Sequence, residues 1–401
     1  MRRGATGGRT RPTLFAIALL AAALLLPAGA VRADEDTPGV GDGVILFGQS
    51  AALTGPAAAL GEDMRRGILA AFDEVNRAGG VDGRRLELIS YDDRYEPETA
   101  IENTQRLIEE DRVFALIGPV GTPTSMAAEP IATAGNVPLI GAFTGAEFLR
   151  NPELRTVVNL RASYFQETES IVEWLTRSRG ADRIAILYQD DSYGRAGRNG
   201  VIRALERHGL QTVSEGVYPR NTVAVKRALL SIARGDPDAI VIVGAYQPSA
   251  EFIKWARKLG IEAIIVNVSF VGTGALLDTV GDAGVGTVIS QVVPTPFDAS
   301  LPLVAEYQAA MKALYGDEPL GFVSLEGYLA ARLTIAVLDS IDGPPTRAAF
   351  LATLDEVGRF DIGGFPLAFA PGDNQGSDRV FLTVIGPGGG IRPVDDDAAA
   401  P

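Results

Sequence analysis

Short apolar runs alternate with longer amphipathic stretches along the first part of the chain. Each apolar run spans four or five residues, which is too short for a helix and typical of a buried strand. The first amphipathic stretch repeats Met64, Ile68 and Phe72 at four-residue intervals, so these side chains share one helix face. The pattern predicts alternating strands and helices over residues 44–48, 61–78, 86–90, 97–110, 113–117, 123–135 and 137–140. This alternation is typical of a doubly wound parallel sheet.

The same alternation begins again near residue 157 and predicts a second sheet of similar size. Its expected elements are 157–159, 164–179, 183–188, 194–208, 212–218, 222–233, 239–243, 248–259, 263–266 and 287–293. The elements expected after them are 301–315, 322–341, 345–356, 366–369 and 380–385. Because these last elements must pack onto lobes already built, the chain should cross between the two lobes more than once.

We therefore expect an α/β fold of two doubly wound lobes joined by a multi-crossover hinge. The expected first lobe comprises residues 42–163 and 295–372, and the expected second lobe comprises residues 164–294 and 373–388. The last segment, 389–401, belongs to a Gly- and Asp-rich end, and we expect a disordered tail there.

Two loops rich in glycine and threonine follow neighbouring strands of the first lobe. Gly121 and Thr122 come after the run at 113–117, and Thr144 and Gly145 come after the run at 137–140. Parallel strands end at one edge of a sheet, which is where ligands bind in open α/β folds. Either loop alone could be an ordinary turn, but two side by side favour a binding site.

Aromatic residues follow three strands of the second lobe. Tyr193, Tyr246 and Phe270 all lie at carboxyl strand ends, and Ser269 precedes Phe270. A single aromatic residue at a strand end is as often part of a core or a hinge. Three strand ends that converge on one edge favour the lining of a cleft that faces the first lobe.

The amino terminus has the form of a secretory signal peptide, residues 1–30. Four arginines precede an apolar run at 14–26, and the small residues Ala28 and Ala30 follow. Cleavage after Ala30 or Ala33 is equally compatible with the sequence. The chain has no cysteine, which excludes a lipid anchor on an N-terminal cysteine and any disulfide. These features predict a protein exported to the periplasm without a lipid anchor.

Composition narrows the function classes further. The formal net charge of −14 makes nucleic acid and anionic lipid poor partners. With one histidine, His208 at a predicted helix end, the chain cannot assemble a zinc site or a histidine-activated nucleophile. The GTGALL segment at 272–277 lacks the third glycine of a dinucleotide loop, and no phosphate-binding loop motif occurs. We expect no cofactor and no metal.

Two pairs of carboxylates follow strands, Asp92–Asp93 and Asp190–Asp191. Paired carboxylates can act as acid and base, but residues in this position more often cap a helix or hold a turn. We therefore expect a protein that is not an enzyme.

The chain resembles the type I periplasmic solute-binding proteins of the branched-chain amino-acid ABC transporter family. The segments that carry the resemblance are LTGPAAALG (53–61), DEVNRAGGVDGRRLELISYDD (73–93), IGPVGTPTS (117–125), PLIGAFTGAEFLR (138–150), YQDDSYGRAG (188–197) and VGAYQP (243–248). The pattern NxxGGxxGxxxxL followed by DD is typical of this family but indicates no particular ligand. A more distant resemblance links the chain to ligand-binding domains of amide sensors and neurotransmitter receptors.

The resemblance implies a ligand site in the cleft between the lobes. It places the hydroxyl that holds a carboxylate on Thr122, first-lobe backbone contacts on Phe143 and Gly145, and second-lobe tyrosines on Tyr193 and Tyr246. The expected ligand-binding residues are Leu60, Gly121, Thr122, Phe143, Thr144, Gly145, Tyr193, Tyr246, Ser269 and Phe322.

Two positions depart from the family pattern. An aromatic wall residue is replaced by Leu60, although its counterpart Phe322 is kept, and the acidic residue that neutralises an amino acid's ammonium is replaced by Ser269. Asp190 or Asp191 could substitute for the missing acid. We expect a ligand without an α-ammonium: an amide, a carboxylic acid, or an aromatic or apolar compound.

The resemblance implies a monomeric carrier that closes on a small solute and presents it to ABC transporter permease subunits in the inner membrane. A branched-chain amino acid carrier is the nearest alternative. A ligand-sensing lobe of a signalling system and a secreted enzyme are further alternatives, the latter disfavoured by the missing nucleophile systems.

Overall fold

A six-stranded sheet forms the first lobe of the computed structural model, which describes residues 37–394. Strand β2 pairs with β1, β3 and β4, and β5 and β6 continue the sheet beyond β4. All of these pairs are parallel except β1 with β2, as the alternating pattern predicts. In chain order the elements are β1 (Val40–Gly41), β2 (Val44–Ala51), α1 (Ala58–Arg77), β3 (Arg85–Asp92), α2 (Pro97–Glu109), β4 (Ala115–Ile117), α3 (Thr122–Ala134), β5 (Leu139–Ile140) and β6 (Val157–Val158).

The second lobe contains a seven-stranded sheet. Its first elements are α4 (Tyr164–Glu173), β7 (Ile184–Gln189), α5 (Ser192–Arg207), β8 (Ser214–Tyr218), α6 (Lys226–Ala233), β9 (Ala239–Val243), α7 (Tyr246–Lys258), β10 (Ile264–Asn267), α8 (Thr273–Val280) and β11 (Val288–Gln291). The parallel order is β11, β10, β9, β7, β8. All five residues of β9, AIVIV, are buried, as expected for a central strand covered by helices on both faces.

The remaining elements return to both lobes. They are α9 (Pro302–Tyr315), α10 (Phe322–Asp339), α11 (Arg347–Val357), β12 (Arg359–Ile362), β13 (Phe365–Ala368), β14 (Phe381–Ile385) and β15 (Ile391–Pro393). Helices α9 and α10 pack against α1 in the first lobe, and β12 and β13 form a separate hairpin. Strand β14 pairs antiparallel with β11 in the second sheet, and β15 pairs with β14.

Glycine allows α1 and α10 to approach each other closely. A Cβ atom added at Gly67 would lie 1.8 Å from the carbonyl oxygen of Ser324. Any larger residue would push the two helices apart. This contact fixes the first turns of α10, which begin at Phe322, against the first lobe.

Two crossover segments between the lobes hydrogen-bond to each other. The amide of Asn159 donates to the carbonyl of Asn374 at 2.8 Å, and the amide of Gly376 donates to the carbonyl of Asn159 at 2.8 Å. A third crossover connects β11 to α9. The prediction of two doubly wound lobes joined by a multi-crossover hinge is therefore confirmed.

Three predictions about elements were wrong or incomplete. The predicted helix at 222–233 begins only at Lys226, whereas the helix predicted at 164–179 is present as α4 and the π-helical turn that continues it to Ser178. The sequence pattern did not indicate α8, β12 or β15. Part of the predicted disordered tail, residues 391–393, forms β15, because β14 offers an unpaired edge.

The predicted signal peptide, residues 1–30, and residues 395–401 of the predicted tail lie outside the described residues. Between residues 37 and 394, no helix is both long and apolar enough to cross a bilayer.

Candidate functional site

The loops after β4 and β5 run side by side beyond the sheet. The amide of Phe143 donates to the carbonyl of Pro119 at 2.8 Å, and the amide of Gly121 donates to the carbonyl of Phe143 at 3.2 Å. These bonds bring the Thr122 and Thr144 hydroxyl oxygens to 2.7 Å from each other. Adjacent parallel strands thus place the two loops together, as the sequence predicts.

A third hydroxyl joins this pair from the start of the second lobe. The Tyr164 hydroxyl lies 3.4 Å from the Thr144 hydroxyl, at the beginning of α4. Burial raises the pKa of Tyr164 to about 12, so its phenol keeps its proton and can donate a hydrogen bond. The three hydroxyls form a buried polar cluster that can donate to or accept from a ligand oxygen.

Arg150 ties the loop after β5 to the first crossover. Its guanidinium donates to the carbonyls of Thr144 at 3.3 Å, Ala146 at 2.9 Å and Arg161 at 3.2 Å. Burial and the nearby Arg161 lower the pKa of Arg150 to about 10, which leaves it charged at neutral pH. The loop that carries Phe143, Thr144 and Gly145 is therefore held by a fixed cation.

Gly121 is required by the close approach of an aromatic ring. Its φ is 104°, in the region that favours glycine, and a Cβ atom there would lie 2.1 Å from Tyr95 Cε2. Tyr95 itself has a φ of 63°, and the Asp93 carboxylate accepts from its amide at 2.8 Å. The strained turn therefore presses the Tyr95 ring against the loop after β4.

Aromatic rings from both lobes meet around Phe270. Its ring centroid lies 4.5 Å from that of Tyr193, 5.2 Å from that of Phe143 and 6.0 Å from that of Tyr95. Phe143 and Tyr95 belong to the first lobe, while Phe270 and Tyr193 belong to the second. The carboxyl edges of the two sheets thus face each other through an apolar, aromatic contact.

A buried arginine and two glutamates connect the hinge to both lobes. Arg161, in the first crossover and only 2% exposed, donates to Glu167 on α4 at 2.8 Å and to Glu326 on α10 at 3.3 Å. It also donates to the Ser269 hydroxyl. Burial alone would lower the pKa of Arg161, but the two carboxylates outweigh it and raise the pKa above its usual range. Burial raises the pKa of Glu326 to about 7, although Arg161 opposes this rise.

Glu167 has all of its acceptor capacity used within the protein. One oxygen accepts from Arg161 at 2.8 Å and from the Ser269 hydroxyl at 3.0 Å. The other accepts from the Ser269 amide at 2.9 Å and from the Ser290 hydroxyl at 2.5 Å. A carboxylate has about four lone-pair positions, so four donors saturate it.

The structure brings most of the predicted site residues together. The two loops unite Gly121, Thr122, Phe143, Thr144 and Gly145, and Tyr193 and Ser269 reach them through Phe270 and Arg161.

The other three predicted residues each lie in the first turn of a helix. Leu60 lies in α1, not in a loop, and its Cδ2 atom is 2.3 Å from where a Cβ atom of Gly272 would be. Phe322 opens α10 with its ring 6.2 Å from that of Phe297, and Tyr246 opens α7 and is 7% exposed.

The paired aspartates have structural roles, as the sequence predicts. Asp92 accepts from the amides of Leu53 and Arg94, each at 2.9 Å, and so holds a turn. Asp191 caps α5 by accepting from the Gly194 amide at 3.0 Å. Among the described residues, no group of three or more His, Cys, Asp or Glu side chains could hold a metal ion.

Sequence reasoning missed the buried ion network and part of the aromatic cluster. Arg161, Tyr164 and Glu167 lie in RASYFQE, which the pattern indicates only as a crossover. A lone arginine between apolar neighbours was a usable signal, because a buried charge needs a partner. Glu326 had no such signal, since it lies inside an ordinary helix pattern.

Comparisons with known proteins agree with this architecture. The sequence profile of the family described as periplasmic binding protein matches residues 45–390. Leu/Ile/Val-binding protein homolog 7 of Brucella suis is 27% identical over 403 residues, covering 96% of this chain and 97% of that protein.

Two crystal structures resemble this chain over nearly their whole length. A possible leucine/isoleucine/valine-binding protein from Rhodopirellula baltica superposes with a TM-score of 0.85 at 40% identity, covering 90% of this chain and 99% of that one. A substrate-binding periplasmic protein from Ralstonia solanacearum superposes with a TM-score of 0.82 at 31% identity, covering 87% of this chain and 100% of that one.

Proposed function

Because the chain belongs to the periplasmic binding protein family, we propose that it is the substrate-binding component of an ABC importer. It captures a small solute between its lobes by hinge closure and delivers it to permease subunits in the inner membrane. The observation that carries this proposal is the meeting of two strand-end edges from different lobes around Phe270, with the Thr122–Thr144 hydroxyl pair on the first-lobe loops.

The ligand site comprises the predicted residues around the two first-lobe loops. Thr122 and Thr144 supply hydroxyls, and Phe143 and Tyr193 supply aromatic surface from opposite lobes. A site with apolar walls and a few convergent polar groups is typical for a small solute. We add Tyr95, Tyr164 and Phe270 to the proposed lining, because their rings pack against the predicted residues.

The same geometry favours a ligand without an α-ammonium. Glu167 occupies the place beside Ser269 where the family pattern has an acidic residue, but four donors already saturate it. Asp191 is engaged with the Gly194 amide and with the Gln189 side chain at 2.6 Å. An ammonium placed beside Ser269 would therefore have no free counter-charge and would cost roughly several kcal/mol, so an amide, a carboxylic acid or an apolar compound fits better there.

Titration calorimetry tests this proposal on ligand-stripped protein. We expect leucine, isoleucine and valine to bind more weakly than micromolar, and mass spectrometry of the compound that copurifies with the protein to identify a molecule without an α-ammonium. Micromolar binding of any of the three amino acids would contradict the ligand class and favour a branched-chain amino acid carrier.

Small-angle scattering tests the carrier mechanism. The proposed lobes, 42–163 with 295–372 and 164–294 with 373–388, should move as rigid bodies about the crossovers. We expect the radius of gyration of stripped protein to fall when the copurifying compound is added back. An unchanged radius at saturation would refute hinge closure while leaving binding itself intact.

A further inference from the structure

One hydrogen-bond donor of the buried Arg161 side chain has no partner. A guanidinium has five N–H groups. The Nη2 atom serves Glu167 and Ser269, and the Nη1 atom serves Glu326. The Nε atom is buried and has no partner. An unpaired buried donor is unfavourable, so an acceptor is expected at this position.

Glu326 keeps spare acceptor capacity. Within residues 37–394 its two oxygens accept only from Arg161 Nη1, at 3.3 Å and 3.5 Å, which are long distances for a charge-assisted bond. The neighbouring Glu167 is saturated, as described above. Glu326 is only 5% exposed, so solvent does not readily fill its free positions.

Both groups lie beside the proposed ligand site. The Arg161 guanidinium carbon is 5.2 Å from the Phe143 ring centroid and 6.0 Å from that of Tyr164. Glu326 lies one helical turn after Phe322 on α10. Arg161 thus has a free donor, and its ion-pair partner Glu326 has free acceptor positions, at the place where the lobes and the hinge meet.

We propose that Arg161 and Glu326 bind the polar head of the ligand, and that this head is an uncharged amide. Its carbonyl oxygen accepts from Arg161 Nε–H, and its N–H donates to Glu326. This inference rests on the proposed function, since it places the ligand in the same cleft.

The charges around the two groups disfavour the alternatives. A carboxylate head finds a donor at Arg161 but faces the like charge of Glu326, and it has no N–H to donate. An ammonium head satisfies Glu326 but leaves the Arg161 donor unpaired and adds a cation beside it. Of these three heads, only the amide offers an acceptor and a donor together without net charge.

Three probes with one carbon skeleton test the assignment by calorimetry: isobutyramide, isobutyrate and isobutylamine. We expect isobutyramide to bind stripped protein at least about tenfold more tightly than either charged probe. Isobutyramide binding that is equal to or weaker than that of a charged probe, or undetectable, would overturn the assignment.

Two variants test the residues. Glu326→Gln keeps the shape of the side chain but removes the charge, and we expect it to weaken isobutyramide binding by about tenfold while isobutyrate binding stays equal or improves. Arg161→Lys keeps the charge but removes the Nε–H, and should also lose about tenfold for isobutyramide. The matched control is Glu306→Gln. Glu306 lies on α9 and accepts from Arg332 on α10, and this variant should bind like wild type.

The outcomes separate this inference from the function on which it rests. An unchanged amide-to-acid preference in Glu326→Gln, with melting curves showing a folded variant, would overturn the role of Glu326. If the copurifying compound still closes the lobes in the scattering experiment but carries no amide, the carrier function stands and the amide assignment falls. If no compound closes the lobes, the carrier function itself fails.

Discussion

Buried polar side chains in the cleft differ in how much of their hydrogen bonding is completed by the protein itself. Glu167 is saturated and acts as a fixed part of the scaffold, whereas Glu326 and the Thr122–Thr144 pair retain capacity. Groups of the first kind set the geometry, and groups of the second kind can respond to a ligand. Substitutions at these residues should therefore have distinct effects.

Replacing Thr122 by Val removes a hydroxyl at nearly constant volume. We expect affinity for the copurifying ligand to fall by about 1–3 kcal/mol, because a ligand group and the Thr144 hydroxyl each lose a partner. Thr133→Val on the same helix, where the hydroxyl bonds Glu129 at 2.6 Å, should leave affinity unchanged. Calorimetry measures both, and wild-type affinity in Thr122→Val would remove this residue from the site.

Glu326 should make stability fall as the pH rises. Its pKa of about 7 in the folded protein exceeds the ordinary 4.5, so between these values the folded state holds more protons than the unfolded state. The stabilising contribution is complete below about pH 4.5 and disappears as the pH passes 7. The groups that face Glu326 are Arg161, Glu167 and Arg150.

The variant Glu326→Gln cannot titrate and should lose this pH dependence. Relative to wild type, its free energy of unfolding should rise between pH 5 and pH 8, by no more than about 3 kcal/mol. Urea unfolding at both pH values checks this, and parallel pH profiles for the two proteins would contradict it.

At the scale of elements, the contact between α1 and α10 positions Phe322 and Glu326, which lie at the start of α10. Gly67→Ala would place a Cβ atom 1.8 Å from a backbone carbonyl. We expect a loss of about 1–3 kcal/mol in the free energy of unfolding, because the helices must separate. Gly274→Ala on α8 is the matched control, since nothing lies within 4 Å of its Cβ position, and it should be neutral or stabilising. Equal urea midpoints for the two variants would contradict tight packing at Gly67.

Elements with a clear period were predictable, and elements defined by a partner were not. The strand at 239–243 and the helix that opens at Phe322 agree with their predicted positions, because burial imposes a strong apolar pattern on them. Strand β15 forms because β14 has a free edge, which lies in the fold and not in the local sequence. Helix α8 is only eight residues long, too short to show a period.

The same distinction applies to the proposed site. Thr122 and Thr144 could be placed together because both follow neighbouring strands. The contact of Arg161 with Glu326 joins residues 165 positions apart, and nothing in either local pattern indicates the other. The contact of Glu167 with Ser269 and Ser290 likewise could not be predicted, because it depends on the packing of α4 against the ends of β10 and β11.

At the scale of the whole molecule, a polar contact joins the lobes in addition to the aromatic one. Arg220, after β8, donates to Glu96, before α2, at 2.6 Å, and the Asn221 side chain donates to the same carboxylate at 2.8 Å. The Arg220 and Glu96 side chains are 25% and 41% exposed. The contact is thus accessible to solvent and ions, and it is made only when the lobes meet.

Glu96→Gln should accelerate release of the ligand. A partly exposed ion pair contributes about 0–1 kcal/mol, so we expect the dissociation rate to rise by up to about fivefold at low salt. The difference from wild type should shrink at high salt, because ions screen exposed charges. Glu98→Gln, an exposed position in the first turn of α2, is the control. Equal dissociation rates for the two variants in stopped-flow measurements across salt concentrations would contradict this role of the contact between Arg220 and Glu96.

The repeated crossing of the chain between the lobes also constrains how the protein folds. Helix α1 is covered by α9 and α10, which follow the whole parallel part of the second sheet, and that sheet receives β14 only near the end of the chain. Neither lobe can complete its core until almost the entire polypeptide is available. Contacts so distant in sequence make folding slow and dependent on late, long-range steps. A nascent chain that stops before residue 302 would therefore expose the apolar face of α1 and be a target for chaperones and proteases.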